Sequence, residues 1–303
     1  MQDEKKSNWV KYGAVFAILI MVSSAVLVGL FTLWDGSGSN TTTTTYPFAD
    51  VSGTHANFTF SNIKDGVQYL PEGAVTVSSF TTNSTMNESL NKSFPGLESS
   101  RVLVASYSTG ILEYYTAENE NNAGIMIPGD KPVYDQYEGY NFISPGPSQR
   151  VLVGNPIVVA TLSDYSDASN LAKKAVNVFT GLSQGSRNFD SILAYADDVS
   201  DYEQMTVSGA SNGSSYSMLY QRSSAFSNST IQLETVVYGP SAAMRSDIKE
   251  MAAKNVSDVT YSVTEDDSMI KLYIDSTAPT SYMTEANNLY GIISRYTNAS
   301  SAA

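Results

Sequence analysis

Two stretches of this 303-residue chain carry the spacing Gly-x-Ser-x-Gly, at Gly181-Leu182-Ser183-Gln184-Gly185 and Gly209-Ala210-Ser211-Asn212-Gly213. In a serine hydrolase that spacing makes a tight strand-to-helix turn that exposes the nucleophile. The first stretch follows a helical pattern and the second joins two strand patterns through Asn-Gly, so both read as glycine turns. The only histidine, His55, precedes both serines, whereas the hydrolase order places the base after them. His55 has no acidic neighbour in sequence and reads as a surface residue. The carboxylates Asp164, Asp167, Asp197, Asp198, Asp201, Glu265, Asp266 and Asp267 are hard oxygen ligands of the kind Ca²⁺ takes, but none has EF-hand spacing. They read as first-turn helix acids and solvated turns. No catalytic residue, metal ligand or cofactor is expected. What stands out is nine Asn-x-Ser/Thr sequons, at Asn40, Asn57, Asn83, Asn87, Asn91, Asn212, Asn228, Asn255 and Asn298. Asn83, Asn87 and Asn91 would share one helical stripe beside that of Met86, Leu90 and Phe94, which argues against glycosylation of all three.

Composition narrows the chemistry further. Thirty acidic against seventeen basic residues give a formal charge of −13, and no basic stripe appears, which excludes a phosphate-neutralising nucleic-acid binder. The absence of cysteine removes disulfides, thiolate metal sites and a cysteine nucleophile.

The elements that would position any site are legible in patches. Residues 46–147 read as a β-rich part, with short runs such as Asn57–Phe60, Ala74–Val77 and Arg101–Thr116 broken by Asp-Gly and Pro-Glu-Gly turns, then an irregular or hairpin stretch over Glu118–Pro147. Residues 148–303 read as an α+β part. Val151–Val153 and Ile157–Ala160 are continuous apolar runs, and Ala168, Leu171, Ala172, Ala175 and Phe179 mark a helix. Strands are expected at Ser191–Ala196, Gln204–Ser208, Ser215–Gln221 and Ile231–Tyr238. Gly239-Pro240-Ser241 opens a helix through Met244, Ile248 and Met251. A hairpin of Val259–Val263 and Met269–Ile274 leads to a last helix from Pro279, expected to bury Tyr282, Met283, Ala286, Leu289, Tyr290 and Ile293. The order argues an α+β fold with amphipathic helices on one face of an antiparallel sheet, and a ferredoxin-like plait for the C-terminal half. Ser99–Val104 echoes Ser148–Val153 at five of six positions.

Before all this stands an uncharged run of 21 residues, Ala14–Trp34, which as a helix spans about 31 Å, the thickness of a bilayer core. Lys5, Lys6 and Lys11 precede it and Asp35 follows. Residues 1–13 are therefore expected inside, 14–34 as an uncleaved signal anchor in the plasma membrane, 35–45 as a Gly/Ser/Thr stalk, and the rest outside. Gly13, Ala17, Ala25 and Gly29 recur at multiples of four and offer a stripe for a second helix, from another copy or from a membrane-protein partner. Lys11-Tyr12-Gly13-Ala14 and the run behind it resemble the basic-Gly-apolar processing signal of archaeal pilins, although Tyr12 stands where that family usually places a charged residue. The resemblance implies cleavage after Gly13 and a filament-core helix. With a Thr stalk, many sequons and no cysteine, the makeup is also similar to anchored surface proteins of archaea. The expected function is a non-enzymatic cell-surface binding or envelope-assembly component. Its alternatives are a pilin-like filament subunit and a surface enzyme that works without histidine.

Overall fold

The computed structural model describes residues 43–128, 133–162, 165–197, 202–209, 214–226 and 229–297. The apolar run 14–34 with Gly13, Ala17, Ala25 and Gly29 lies outside these residues, as do Asn40, Asn212, Asn228, Asn298, Ser211, Asp164, Asp198 and Asp201. The chain is α+β, and its sheets are almost wholly antiparallel. It divides into two compact units, one reaching to Ala194 and including Met205–Gly209, the other holding Tyr195–Gln204 and the chain from 210 onward. The expected join at 147/148 falls inside the first unit.

The N-terminal unit runs β1 (Thr43–Pro47), β2 (Ala56–Asn57), α1 (Ile63–Val67), β3 (Thr76–Thr81), α2 (Ser84–Ser93), β4 (Arg101–Tyr107), β5 (Gly110–Tyr115) and β6 (Gly124–Pro128). It continues through β7 (Val133–Tyr137), β8 (Tyr140–Ser144), β9 (Gln149–Leu152), β10 (Gly154–Asn155), β11 (Ile157–Leu162), α3 (Tyr165–Phe179) and α4 (Asp190–Leu193), and β12 (Tyr202–Gly209) is shared between the two units. Its main sheet has the order β3-β4-β5-β11-β9-β8-β7, while β1 pairs with β6 and β2 with β10. All six residues of β11 are buried, the mark of a strand covered on both faces. On one face the rings of Phe58, Tyr69, Tyr114 and Phe179 pack at 4.2 to 5.8 Å, tying α3 to β5. Hairpin β7/β8 turns on Glu138 and Gly139 at φ 50° and 81°, the pair of positive values that a two-residue turn of matching twist requires.

The C-terminal unit is built from β13 (Met218–Ala225), β14 (Ile231–Tyr238), α5 (Ala242–Ala252), β15 (Val259–Glu265), β16 (Met269–Ser276) and α6 (Pro279–Thr297). Its strands lie in the order β15-β16-β14-β13. Alternation puts Ile231, Leu233 and Val237 of β14 on one face with Ile270, Leu272 and Ile274 of β16. Both helices cover that face through Met244, Ile248, Met251, Tyr282, Leu289, Ile292 and Ile293. The Ser241 hydroxyl caps α5 by accepting from Met244 N at 3.3 Å. Arg245 then reaches out of α5 and donates to the carbonyls of Asp266, Asp267 and Met269 at 2.8 to 3.0 Å, clamping the β15/β16 turn. At the other end Ser215 N donates to Tyr296 O at 2.9 Å, and the Tyr216 hydroxyl meets Thr297 Oγ1 at 3.0 Å, so the start of this unit's sheet is sewn to the end of α6.

Three expectations change. A ferredoxin-like plait runs β-α-β-β-α-β along the chain, whereas this unit runs β-β-α-β-β-α, because a hairpin brings β13 in ahead of β14 and no strand follows α6 among the described residues. The strand expected at Ser191–Ala196 is instead the short helix α4, since Phe189, Ile192 and Leu193, spaced three and four apart, bury on one side of a turn. Tyr290 is 61% exposed, because it lies round α6 from the buried Leu289, about 100° away at 3.6 residues per turn.

The two units share a plan. In the N-terminal one, hairpin β4/β5, an intervening segment, hairpin β9/β11 and helix α3 follow in that order, with strands arranged β9-β11-β5-β4. In the C-terminal one the corresponding parts are β13/β14, α5, β15/β16 and α6, arranged β15-β16-β14-β13. Strands β6 to β8 stand in the N-terminal unit where the other has α5. The echo of Ser99–Val104 in Ser148–Val153 marks the first strands, β4 and β9, of the two hairpins within one unit.

Gly185 makes a test of packing. A Cβ there would sit 1.6 Å from the Gln68 carbonyl oxygen, whereas one at Gly181, at φ +74°, would meet nothing within 4 Å. Gly185→Ala is expected to cost about 3 kcal/mol by forcing backbone apart, and Gly181→Ala only about 1 kcal/mol of left-handed strain, read by urea unfolding.

Candidate functional site

The densest charged cluster lies on the face of the C-terminal sheet opposite α5 and α6. Glu234, in the middle of β14, is completely buried, and so is Arg222 beside it on β13 but for 2%. Arg222 Nη2 stands 3.0 Å from Glu234 Oε2, and Lys271 Nζ of β16 stands 2.8 Å from Oε1. The same ammonium donates to Asp197 Oδ1 at 2.9 Å and to Tyr195 O at 2.8 Å, while Asp197 N donates to Glu234 Oε1 at 3.1 Å. The Tyr273 hydroxyl completes the ring by donating to Asp197 Oδ2 at 2.5 Å.

Two cations and two carboxylates make this cluster neutral, which is what a buried ionic group requires. Burial works against the charge on Lys271, but Glu234, Tyr273 and Asp197 outweigh it and hold the ammonium above its ordinary value. Burial would also raise Asp197, yet hydrogen bonds from Tyr273 and Lys271 hold its carboxyl below the usual range. Tyr273, desolvated and beside Asp197, is pushed up to about 12. An ammonium with three acceptors has no lone pair to offer, so Lys271 is suited to fastening residues 195–197 onto the sheet rather than to nucleophilic or proton-transfer work.

Several other charged residues are likewise engaged. Glu265 pairs with Lys249 and stands 3.5 Å from Arg245. Asp266 Oδ1 accepts from Ser268 N and Met269 N at 2.7 and 2.9 Å, closing the turn. Asp135 takes a hydrogen bond from Ser169 at 2.7 Å and pairs with Arg150 at 2.9 Å; together they hold its carboxyl low against its partial burial. An open groove of about 280 Å³ between α5 and α6 sets Asp247, Glu250, Lys254 and Arg295 around Met251 and Ile292, with Arg295 and Asp247 paired at 2.9 Å. Among the described residues no three Asp, Glu or His side chains gather as a metal site.

His55 is half-buried, with Nδ1 2.5 Å from Glu120 Oε1 and Nε2 3.0 Å from Val51 O. This acidic partner was hidden from sequence because it lies far along the chain, in a separate 3-10 turn (Glu120–Asn122). Ser183 is exposed on the turn that ends α3, its N–H donating to Asn177 O at 2.9 Å.

The sequon asparagines separate by geometry. Asn57 and Asn255 are exposed. Asn83 Oδ1 caps α2 by accepting from Met86 N at 2.9 Å. The Asn87 amide donates to Ser99 O at 3.1 Å. Asn91 Nδ2 donates to Asn87 O and Leu97 O at 2.8 and 3.3 Å while its Oδ1 accepts from Gly96 N at 2.8 Å. The stripe read as sugar acceptors therefore sews α2 to the loop that follows it.

Removing one member of the buried cluster strands its partner. Lys271→Met and Glu234→Gln are each expected to cost about 3–5 kcal/mol in urea unfolding, and replacing Arg222, Glu234 and Lys271 together by Met, Leu and Met to cost less than either single change. Comparison of the chain with family models, with curated proteins and with solved structures finds no match.

Proposed function

We propose that this chain is a single-pass cell-surface protein, held by residues 14–34 with its N-terminus in the cytoplasm, whose folded part serves as a binding or envelope-assembly component and not as a catalyst. The observation that carries the reading is the 21-residue uncharged run behind Lys5, Lys6 and Lys11. A neutral cluster whose only lysine is fully engaged fits a scaffold. The Gly13, Ala17, Ala25 and Gly29 stripe gives the anchor a face on which another copy or a membrane partner packs. Protease added to intact cells should digest the chain beyond residue 35 and leave a short membrane-bound stub. A fully protected chain would refute the topology. The pilin-like alternative rests on Lys11 and Gly13 ahead of the run, and a mature N-terminus at Ala14 would establish it in place of the signal anchor.

The surface is proposed to be glycosylated, with Asn57 and Asn255 as acceptors because their side chains are exposed, and Asn87 and Asn91 left bare because their Nδ2 groups hold carbonyls. Peptide mass mapping should find sugar on the first two. Asn91→Ala should cost about 1–2 kcal/mol with no loss of sugar mass, the price of freeing the loop after α2. For the C-terminal unit, the strand order and the one-sided helices support a finer reading, a plait circularly permuted so that its last strand comes first.

A further inference from the structure

Glu113, in β5, has no exposed surface, and neither carboxyl oxygen makes a hydrogen bond. Alternation along β5 turns it away from Tyr114 and α3. On its own face it stands opposite Val104 of β4 and Val159 of β11, with Val102 and Ile157 diagonal to it. The shared plan of the units makes this environment informative. Leu112-Glu113 in β5 and Leu233-Glu234 in β14 hold the same place in their hairpins, and Val104 and Ile157 occupy the register positions of Arg222 and Lys271. One copy of the buried glutamate is met by two cations and the other by two aliphatic side chains.

Charged groups around Glu113 do not take the cations' part. The Tyr115 hydroxyl, on the same strand and face, acts on it from outside hydrogen-bond geometry. Phe94, which follows α2, packs on the Tyr115 ring at 5.9 Å, and Phe48 packs on Phe94 at 6.3 Å. Of the charged residues in those segments, Glu88, Lys92 and Asp50 are exposed, and nearby Glu120 is held by His55. Arg101 reaches Ser79 and Arg150 reaches Asp135, both on the opposite face.

We propose that Glu113 is a proton-binding site, held as a neutral carboxylic acid by the folded N-terminal unit, which therefore loosens as rising pH withdraws that proton while the C-terminal unit does not. Burial pushes this carboxyl up to about 8, the Tyr115 hydroxyl opposing it weakly. An unfolded glutamate titrates near 4.5, so between that value and about 8 the folded unit binds a proton that the unfolded chain releases. Stability is fully present below the lower value, falls with pH across the window and levels off above it.

The test uses the full-length protein in detergent micelles, with amide hydrogen exchange from pH 5 to 9 corrected for its intrinsic pH dependence. Opening of β4, β5 and β11 should increase by up to tenfold per pH unit until about pH 8, with β14 and β16 unchanged, and Glu113→Gln should abolish the trend. A pH-independent β5, or equal trends in both units, would overturn the proposal. Isotope-edited infrared spectra of the wild type decide the matter even where the variant fails to fold. A protonated carboxyl at pH 7, titrating with the exchange, supports it, and fully ionised glutamate at pH 5.5 overturns it.

Discussion

A carboxylate in the middle of a covered sheet must find a cation or keep a proton, because an ionised group without either is costly to bury. Glu234 satisfies that constraint with Arg222 and Lys271, and much of the C-terminal unit is arranged around the solution. Three neighbouring strands each contribute a charged residue to one face, which leaves the other face free for a largely apolar layer beneath α5 and α6. Lys271 also spends its remaining donors on Asp197 and Tyr195, so the same neutralisation secures the chain where it enters the unit.

This division of labour between faces explains which parts of the sequence were readable. The helix through Met244, Ile248 and Met251, the hairpin turning at 265–268 and the continuous buried run of β11 all carry local signals, and each appears where those signals place it. Periodicity could not separate a short helix from a strand at Ile192 and Leu193, where too few residues lie between turns to set a period. Nor could it order the strands. The β-β-α-β-β-α succession was legible in local patterns, but the spatial order β15-β16-β14-β13 follows from long-range pairing, which those patterns do not encode.

The candidate site was the least legible part. Asp197, Arg222, Glu234 and Lys271 are spread over four segments, and only register brings them together. Glu234 looks in sequence like the polar member of an alternating strand, its burial arising from what covers that face. The same holds for His55, in the loop before β2, and Glu120, in a 3-10 turn far along the chain. Asn83, Asn87 and Asn91 illustrate the converse. Their spacing was visible, but the use of their amides in capping and loop closure depends on where Gly96, Leu97 and Ser99 return.

The stitching of Ser215 to Tyr296 and of Tyr216 to Thr297 means that the two ends of the segment 215–297, which carries β13 to β16, α5 and α6, lie side by side. A segment with that property is portable: it can be lifted out of one chain and set into another, or copied in tandem, without asking the host to span its width. Its hairpin–hairpin–helix plan recurs in the N-terminal unit, where the segment between the hairpins is three strands in place of a helix.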